Sequence, residues 1–260
     1  MGAPMIDDIL KIVEHRNYPL PRGPWVMQQT WRNLLFAHWP LPPEAMRALV
    51  PQALELDVYG GQAWLGVVPF AMSNVHPRGL PSVPWLSAFP ELNVRTYVRM
   101  EEKGVAKPGV YFFSLDAGNP VAVALARSLF LLPYFNAKMY TWERSDGWIE
   151  YRSHRTHGGA APANFAGRYR PTGRVYLSRP GDLDNWLTER YALYTVDAKG
   201  RPYIGEIHHV AWPLQPAEAE LRAADLAGAS AALSLGDAAP LVHFARRIDM
   251  AAWALRRVKE

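Results

Sequence analysis

The chain has 260 residues, no cysteine and a formal net charge of +4 at pH 7. Its composition, 49% hydrophobic and 20% charged, is that of a folded globular protein and excludes disordered and fibrous classes. The lack of cysteine excludes disulfides, thiolate metal sites and a cysteine nucleophile. No apolar run reaches the roughly 20 residues of a membrane span, and the N-terminal segment is acidic where a signal peptide is basic, so we expect a cytoplasmic protein without a membrane partner.

The first half of the chain alternates strands with short helices. Apolar residues at helical spacing over 5–15, stopped by PRGPW at 21–25, predict an N-terminal helical arm over 1–20 and a single domain over 21–260. Asn119 and Pro120 supply an N-cap and a first-turn proline for a helix from about 120 to 131. Strands are predicted over WRNLLFAHW, ELNVRTYVRM, VYFFSLDA and two segments joined at Gly60-Gly61, with a short helix at PPEAMRALV.

The second half contains further short strands separated by Gly, Pro and Asp-Gly turns. These strands are KMYTW, WIEYRSHR, NFAGRYR, RVYLS, PYIGEIHHVAW and VHFARRIDMAAWAL. Helices are predicted at the start of DLDNWLTERYALY and over PAEAELRAADLAG. Many short strands with few helices between them predict an α+β domain on a mainly antiparallel sheet that closes or nearly closes.

Lys138 is the first candidate for chemistry because it ends the apolar stretch SLFLLPYFNAKM, whereas the other lysines lie in turns or near the chain ends. Desolvation lowers the pKa of a lysine, and the neutral amine can attack a carbonyl group. The alternative is that its stem packs on Tyr140 or Trp142 while its ammonium reaches water. The sequence favours this second interpretation.

A strictly alternating strand provides the second candidate site. Glu91, Asn93 and Arg95 share one face of it, which either meets solvent or lines a polar cavity, and the sequence favours the solvated face. The arginine fork suits a carboxylate and a glutamate suits proton transfer. Together with Arg32, this set would serve a small keto acid or a similar anion, with Arg32 and Arg95 binding the ligand and Glu91 catalytic.

Histidines and arginines suggest two weaker hypotheses. The pair His208-His209 cannot share a metal on a strand, because adjacent residues point to opposite faces, and no metal is predicted. No nucleotide-binding or serine-hydrolase motif is present, so no cofactor is predicted either. Arginines interleaved with aromatic residues over 152–179 suit either nucleic-acid binding, which is the least favoured function, or a solvated hairpin. These arginines are Arg152, Arg155, Arg168, Arg170, Arg174 and Arg179.

Several stretches together resemble the acetoacetate decarboxylase superfamily. They are PRGPW, WRNLLFAHWPLPPEAMRALVPQALELD and VYFFSLDAGNPVAVALARSLFLLP. Three others, FPELNVRTYV, LTERYALY and EIHHVAWPLQPA, are closer to its uncharacterised YqjF-like branch. The resemblance implies a cone-shaped, largely antiparallel β-barrel, closed or nearly closed, with flanking helices and an internal pocket.

The resemblance also implies which residues would form that pocket. Decarboxylases of this superfamily use an arginine, a glutamate and a lysine pair, and Arg32 and Glu91 match the first two by position. Tyr134 and Phe135 stand where the two lysines would follow Pro133. Neither side chain can form an imine or lower the pKa of a neighbouring amine, so ordinary acetoacetate decarboxylation is not expected.

Two functional hypotheses are therefore favoured over nucleic-acid binding. In the first, a small carbonyl- or carboxylate-containing ligand is anchored by Arg32 and Glu91. Tyr134 and Phe135 border this ligand in the pocket. In the second, Lys138, or Tyr134 with Glu91, catalyses lyase, isomerase or hydrolase chemistry on a small oxo compound. Assembly into a homo-oligomer stays open.

Overall fold

The computed structural model of the protein describes residues 6–83, 85–222 and 239–259. Strands dominate these residues, as the many short β-patterns predict. The elements in chain order are α1 (Ile6–Ile9), β1 (Met27–Leu41), α2 (Pro43–Arg47), β2 (Glu55–Leu56), β3 (Ala63–Pro77), β4 (Phe89–Glu102), β5 (Val105–Ala117), α3 (Pro120–Phe130), β6 (Tyr134–Glu143), β7 (Ile149–Arg155), β8 (Asn164–Pro171), α4 (Leu183–Thr188), β9 (Ala192–Val196), β10 (Pro202–His209), β11 (Leu214–Arg222), β12 (Leu241–Ala252) and β13 (Arg256–Arg257).

All the described strands belong to one sheet, in the order β13-β10-β9-β5-β6-β7-β8-β11-β12-β1-β3-β4-β2. Two additional pairings, β10 with β12 and β5 with β4, join distant positions of that order. The second of these completes a ring of nine strands that runs from β5 through β6, β7, β8, β11, β12, β1, β3 and β4. Only the pairings of β5 with β6 and with β9 are parallel among those described. The mainly antiparallel, mostly-strand sheet is thereby confirmed, while closure of the ring into a barrel stays a prediction.

Strand β4 separates the main hydrophobic core from the opposite side of the sheet. Leu92, Val94 and Val98 belong to the largest cluster of buried apolar side chains. Glu91 and Arg95 alternate with them and therefore face the other way. The two-faced pattern predicted for this strand is confirmed, and its polar face lines a cavity rather than solvent.

Helix α3 begins where its capping residues predict. The Asn119 side-chain oxygen accepts hydrogen bonds from the backbone N–H groups of Val121 (3.0 Å) and Ala122 (3.1 Å), and Leu131 ends the helix in the left-handed region at φ 52°. The Asn119 side-chain amide also donates to the carbonyl oxygen of Trp85 at 3.2 Å. One residue therefore caps α3 and ties it to the connection between β3 and β4.

The helix predicted over PAEAELRAADLAG is wrong for its first half. Residues up to Arg222 belong to strand β11, which pairs with β8, and the remainder of that segment lies outside the described residues. Cross-strand ion pairs favour the strand: Arg168 contacts Glu220 at 2.7 Å and Arg170 contacts Glu218. Tertiary pairing here overrides the helix propensity of alanine and glutamate. The predicted strand RVYLS contributes only a single bridge, between Tyr176 and Leu214.

The N-terminal arm contains less helix than its periodicity indicates. Helix α1 covers Ile6–Ile9, and the residues after it lie along strand β10. Hydrogen bonds join the His15 ring to the carbonyl oxygen of His209 (2.7 Å) and the Arg16 guanidinium to that of Ile207 (2.9 Å). The division at residue 20 stays a prediction. Among the described residues no helix has both the length and the apolar character needed to cross a membrane.

Candidate ligand-binding cavity

A cavity of about 330 Å³ opens between helix α3 and the strands of the ring. That size matches sites for small organic molecules, which are typically on the order of 300–1,000 Å³. Its walls are mainly apolar and include Leu34, Phe36, Val68, Phe70, Phe89 and Trp212. The ligand of such a site would lose most of its contact with water.

Alternate residues of β4 mark positions along the cavity. Leu86 and Phe89 lie near the end that α3 partly covers, and Glu91, Asn93 and Arg95 follow along the wall. Successive same-face residues of a strand are roughly 6.7 Å apart. The polar groups are therefore distributed along the length of the wall instead of being clustered at one point.

Glu91, which is buried, and Tyr134, which is partly buried, form a hydrogen-bonded pair on this wall. The Tyr134 hydroxyl donates to the Glu91 carboxyl group at 2.9 Å; that the two residues act together in catalysis stays a prediction. Burial raises the pKa of Glu91 to about 8, although the hydrogen bond from Tyr134 opposes that rise. Burial and the neighbouring Glu91 also raise the pKa of Tyr134 well above its ordinary value. At neutral pH the pair is therefore mainly a carboxylic acid beside a phenol.

Two guanidinium groups occupy the far end of the cavity. Arg190 contacts Asp57 at 2.5 Å and donates to the carbonyl oxygen of Trp186 at 2.6 Å. Arg95 has no acidic partner among the described residues, and its Nε and Nη2 have no hydrogen-bond partner of normal geometry there. The Nη2 of Arg190 and the Oδ1 of Asn93 are likewise buried without such a partner. Two cations and one carboxylate leave one positive charge uncompensated.

Aromatic rings and a glycine hold Arg95 in place. Its guanidinium carbon lies 5.4 Å from the centre of the Phe36 ring and 5.8 Å from that of Tyr97. The backbone of Gly66 passes so close that a β-carbon there would lie 3.2 Å from Arg95 Cγ. The absence of a side chain at position 66 therefore gives the stem of Arg95 its space.

Arg32 does not belong to the cavity, so the prediction that it is the pocket arginine is wrong. Its side chain is exposed and donates to the Ser73 hydroxyl at 3.0 Å. Neighbouring residues of a strand face opposite ways, and Trp31 is the one that lines the cavity. An irregularity in the pairing with β3 follows Arg32, where Asn33 has a positive φ of 50°.

Lys138 is also outside the cavity. It lies exposed on β6, where Tyr140 and Trp142 on the same strand face are exposed as well. The strand continues beyond the cavity wall, which is why Tyr134 is enclosed and Lys138 is not. The prediction that Lys138 reacts with a ligand beside Glu91 is wrong, and its exposure is that expected from the solvated interpretation.

Phe135 faces away from the cavity, because it alternates with the inward-facing Tyr134. The guanidinium carbon of Arg155 lies 4.1 Å from the centre of its ring, and Arg155 is paired with the buried Asp116 at 2.7 Å. The predicted role of Phe135 as a border of the ligand is therefore wrong. Its ring instead covers an ion pair on the outer side of β6.

The sequence does not predict the environment of Lys107. It lies on β5, with its amine 3.2 Å from Glu102 and 2.9 Å from Glu206, where the pattern predicted an open turn. These contacts place it away from the cavity. All six lysines of the chain fall within the described ranges, and none of them lines the cavity.

Arg190 and His209 are cavity residues that the sequence prediction did not include. Arg190 lies in the stretch LTERYALY, where a charged pair interrupts apolar residues, and this interruption is the signal that could have identified it. His209 lines the cavity, and burial lowers its pKa to about 3, so its ring is neutral. His208 points the opposite way and contacts the carbonyl oxygen of Ile9 at 2.8 Å, as expected for adjacent strand residues.

The arginine-rich region over 152–179 is partly neutralised by acidic residues. Arg155, Arg168 and Arg170 contact Asp116, Glu220 and Glu218, respectively. Paired guanidinium groups contribute less to an attractive field for phosphate than free ones do. This pairing favours the solvated-hairpin interpretation of the region.

Solved structures with the same fold identify the structural class. A structure of acetoacetate decarboxylase matches with a TM-score of 0.58 at 14% identity, over 98% of both chains. The acetoacetate decarboxylase of Legionella pneumophila matches with 0.57 at 15% identity, over 100% of this chain and 98% of that one. The enduracididine biosynthesis enzyme MppR, complexed with pyruvate, matches with 0.59 at 11% identity, over 93% of both chains. The protein therefore has an acetoacetate decarboxylase-like fold, and at these identities the likeness extends no further.

Sequence comparison defines the family within that class. The family model of DUF2071, described as an uncharacterized conserved protein, matches residues 28–249. The uncharacterized protein YqjF of Bacillus subtilis (strain 168) is 44% identical over 244 residues, which cover 94% of this chain and 97% of that protein. The chain belongs to the DUF2071 family, and its predicted YqjF-like character is confirmed.

Proposed function

We propose that the protein binds a small carboxylate- or carbonyl-containing molecule in its internal cavity, around which the ring of strands closes as a barrel. The uncompensated guanidinium of Arg95 carries the proposal. Its Nε and Nη2 atoms are buried without a hydrogen-bond partner of normal geometry, and buried donors left unpaired cost free energy. A bound carboxylate would accept hydrogen bonds from Arg95 and from the free Nη2 of Arg190.

This binding requires no imine. A Schiff-base mechanism needs a neutral amine within reach of the ligand carbonyl, and the described lysines lie elsewhere. Two proteins of similar fold support a small oxo acid as ligand: the name acetoacetate decarboxylase states such a substrate, and MppR is described in complex with pyruvate. In the present proposal the anionic group of the ligand, held by Arg95, takes the place of a covalent link to lysine.

Isothermal titration calorimetry at pH 7 with acetate, pyruvate and acetoacetate tests the proposal. We expect binding to the native protein and a loss of at least roughly tenfold in Arg95→Gln, because hydrogen bonds to charged groups contribute about 1.5–3 kcal/mol. The matched control is Arg99→Gln, on the same strand but exposed and paired with Glu55, which should bind normally. Equal binding by Arg95→Gln and the native protein would contradict the proposal.

A borohydride experiment tests the lysine-free part of the proposal. Reduction in the presence of pyruvate, followed by mass mapping, should give no modified lysine. An adduct at any of the six lysines of the chain would show that imine chemistry takes place.

The Glu91–Tyr134 pair favours a second candidate function, proton transfer on a bound oxo compound. When ionised, Glu91 is a stronger base than an ordinary carboxylate, because its pKa is raised to about 8. It could remove a proton from the carbon next to the ligand carbonyl. The resulting enolate oxygen would then accept a hydrogen bond from the Tyr134 hydroxyl.

Proton NMR in deuterium oxide tests this candidate. Catalysed exchange of the methyl protons of acetone, an uncharged ketone that Arg95 does not draw away from Glu91, should rise with pH and level off above about 8, following ionisation of Glu91. Glu91→Gln should lose the exchange, while the exposed-site variant Glu55→Gln should retain it. Exchange that persists unchanged in Glu91→Gln would exclude Glu91 as the base.

A further inference from the structure

We infer that the preferred ligand is a monocarboxylate with an extended apolar body of about eight to twelve carbons. This inference rests on the proposed function and specifies the ligand of the same cavity. Three features of the cavity support the inference. They are the separation of its charged end from its apolar surface, the length of its wall and the apolar side of its mouth.

The uncompensated positive charge is confined to one end of the cavity. Arg190 is balanced by Asp57, so Arg95 supplies the single net charge of that end. Glu91, further along the wall, is mainly protonated at neutral pH and adds little charge. One net positive charge, in a lining whose other charged group is paired with Asp57, suits one anionic group on the ligand.

From Arg95 toward the mouth, the wall carries a row of apolar side chains, Val68, Phe70 and Met72, which we call the apolar lane. In the pairing of β3 with β4, Val68 lies opposite Asn93, Phe70 opposite Glu91 and Met72 opposite Phe89. All three β3 side chains line the cavity. A ligand of three or four carbons held at Arg95 would leave this lane unfilled, and every buried methylene that fills it contributes to binding.

The length of the wall sets the length of the ligand. Arg95 lies four positions after Glu91, a distance of about 13 Å along a strand. The guanidinium of Arg95 lies between the Phe36 and Tyr97 rings, so it stays near position 95 of this wall. At a little over ~1 Å per extended carbon–carbon bond, about eight to twelve carbons cover the distance from Arg95 to the neighbourhood of Glu91 and beyond.

The side of the mouth that helix α3 forms is apolar up to its surface. Helix α3 turns Ala122, Leu125, Ala126 and Leu129 toward the cavity, which is the spacing of one helix face. Leu125 and Leu129 are nonetheless 50% and 63% exposed. A ligand whose carbon chain leaves the cavity beside Leu125 and Leu129 would cover apolar surface that now faces water.

Calorimetric titration at pH 7 with straight-chain carboxylates from acetate to dodecanoate, below their micelle-forming concentrations, tests the inference. We expect about fourfold tighter binding for each added methylene until the lane is filled. Arg95→Gln should weaken octanoate and decanoate binding at least tenfold while leaving decanol binding within about twofold. Affinity that does not change with chain length would overturn the inference.

Substitutions in helix α3 test where the carbon chain of the ligand leaves the cavity. Leu125→Gln, at the mouth, should weaken decanoate binding and leave acetate binding unchanged. The matched control is Val121→Gln, because Val121 is on the same helix and similarly exposed at 47% but lies outside the cavity lining. Equal effects of the two substitutions on decanoate would contradict the proposed exit past Leu125.

The same titrations separate the inference from the function on which it rests. If acetate and pyruvate bind through Arg95 and the longer acids do not, the chain-length inference is wrong and the proposed function stands. If no carboxylate binds, or if Arg95→Gln binds every acid as the native protein does, both are wrong.

Discussion

Replacement of Glu91 by glutamine should change the pH dependence of stability in a defined direction. The pKa of Glu91 is about 8 in the folded protein against an ordinary value of 4.5. Between these values the folded state holds a proton that the unfolded state has released, so the free energy of unfolding falls as pH rises. Glutamine occupies nearly the same volume, carries no charge at any pH and removes this contribution.

The size of the effect follows from the width of that pH window. Each pKa unit corresponds to about 1.36 kcal/mol, so the native carboxyl group costs about 3 kcal/mol at pH 7 and up to about 5 kcal/mol above pH 8. Glu91→Gln should therefore be more stable than the native protein by a margin that grows across this range. Near pH 4.5 the two should have similar free energies of unfolding.

Urea denaturation at pH 5, 6, 7, 8 and 9, monitored by tryptophan fluorescence, measures this margin. The difference between the variant and the native protein cancels the titration of all other groups. Glu55→Gln is the control, because Glu55 is exposed and paired with Arg99, and exposed pairs contribute only about 0–1 kcal/mol. A margin for Glu91→Gln that stays the same from pH 5 to pH 9 would refute the assigned burial of an ionisable Glu91.

Three further substitutions test the fold around the cavity by thermal and chemical denaturation. Asp116→Asn should cost about 3–5 kcal/mol, because it leaves the buried Arg155 without a counter-charge, and an effect below about 1 kcal/mol would show that Arg155 reaches water. Asn119→Ala should cost about 1 kcal/mol through loss of the α3 cap, and no change would mean that water replaces it. Gly109→Ala should destabilise strongly, because the added carbon would lie 2.5 Å from the carbonyl oxygen of Ala192, and a stable variant would contradict this close approach of β5 and β9.

Local patterns were sufficient to predict the parts of the site that depend on strand alternation. Glu91, Asn93 and Arg95 were placed on one face by the period of two, and the structure brings all three to the cavity. The cap at Asn119 and the helix after it were equally local. What alternation could not decide is which side of the sheet is enclosed, because that depends on strands from distant parts of the chain.

The incorrect predictions of site residues share a physical cause. Whether each of these side chains reaches the cavity depends on strand register or on where a strand leaves the cavity wall. Arg32 is displaced from the expected face next to the irregularity at Asn33, and nothing in its neighbouring residues indicates this. Lys138 has the same strand parity as Tyr134 but lies beyond the enclosed part of β6. Arg190 reaches the cavity only because the chain after α4 passes beside β4, a long-range relation that no short motif encodes.

Tyr134 contacts Glu91 at one of the two positions where the superfamily resemblance implies lysines, and this difference bears on the charge of Glu91. The superfamily resemblance implies cationic amines at these positions, which would create a positive centre beside Glu91 and favour its ionised form. A tyrosine hydroxyl provides a hydrogen bond without charge, and burial then keeps Glu91 protonated. The positive centre that remains is Arg95, about 13 Å further along the strand. In the proposed complex an anionic ligand would pass the Glu91–Tyr134 pair to reach the far end, so that the apolar body of the ligand, and not its charged group, would lie beside these two residues.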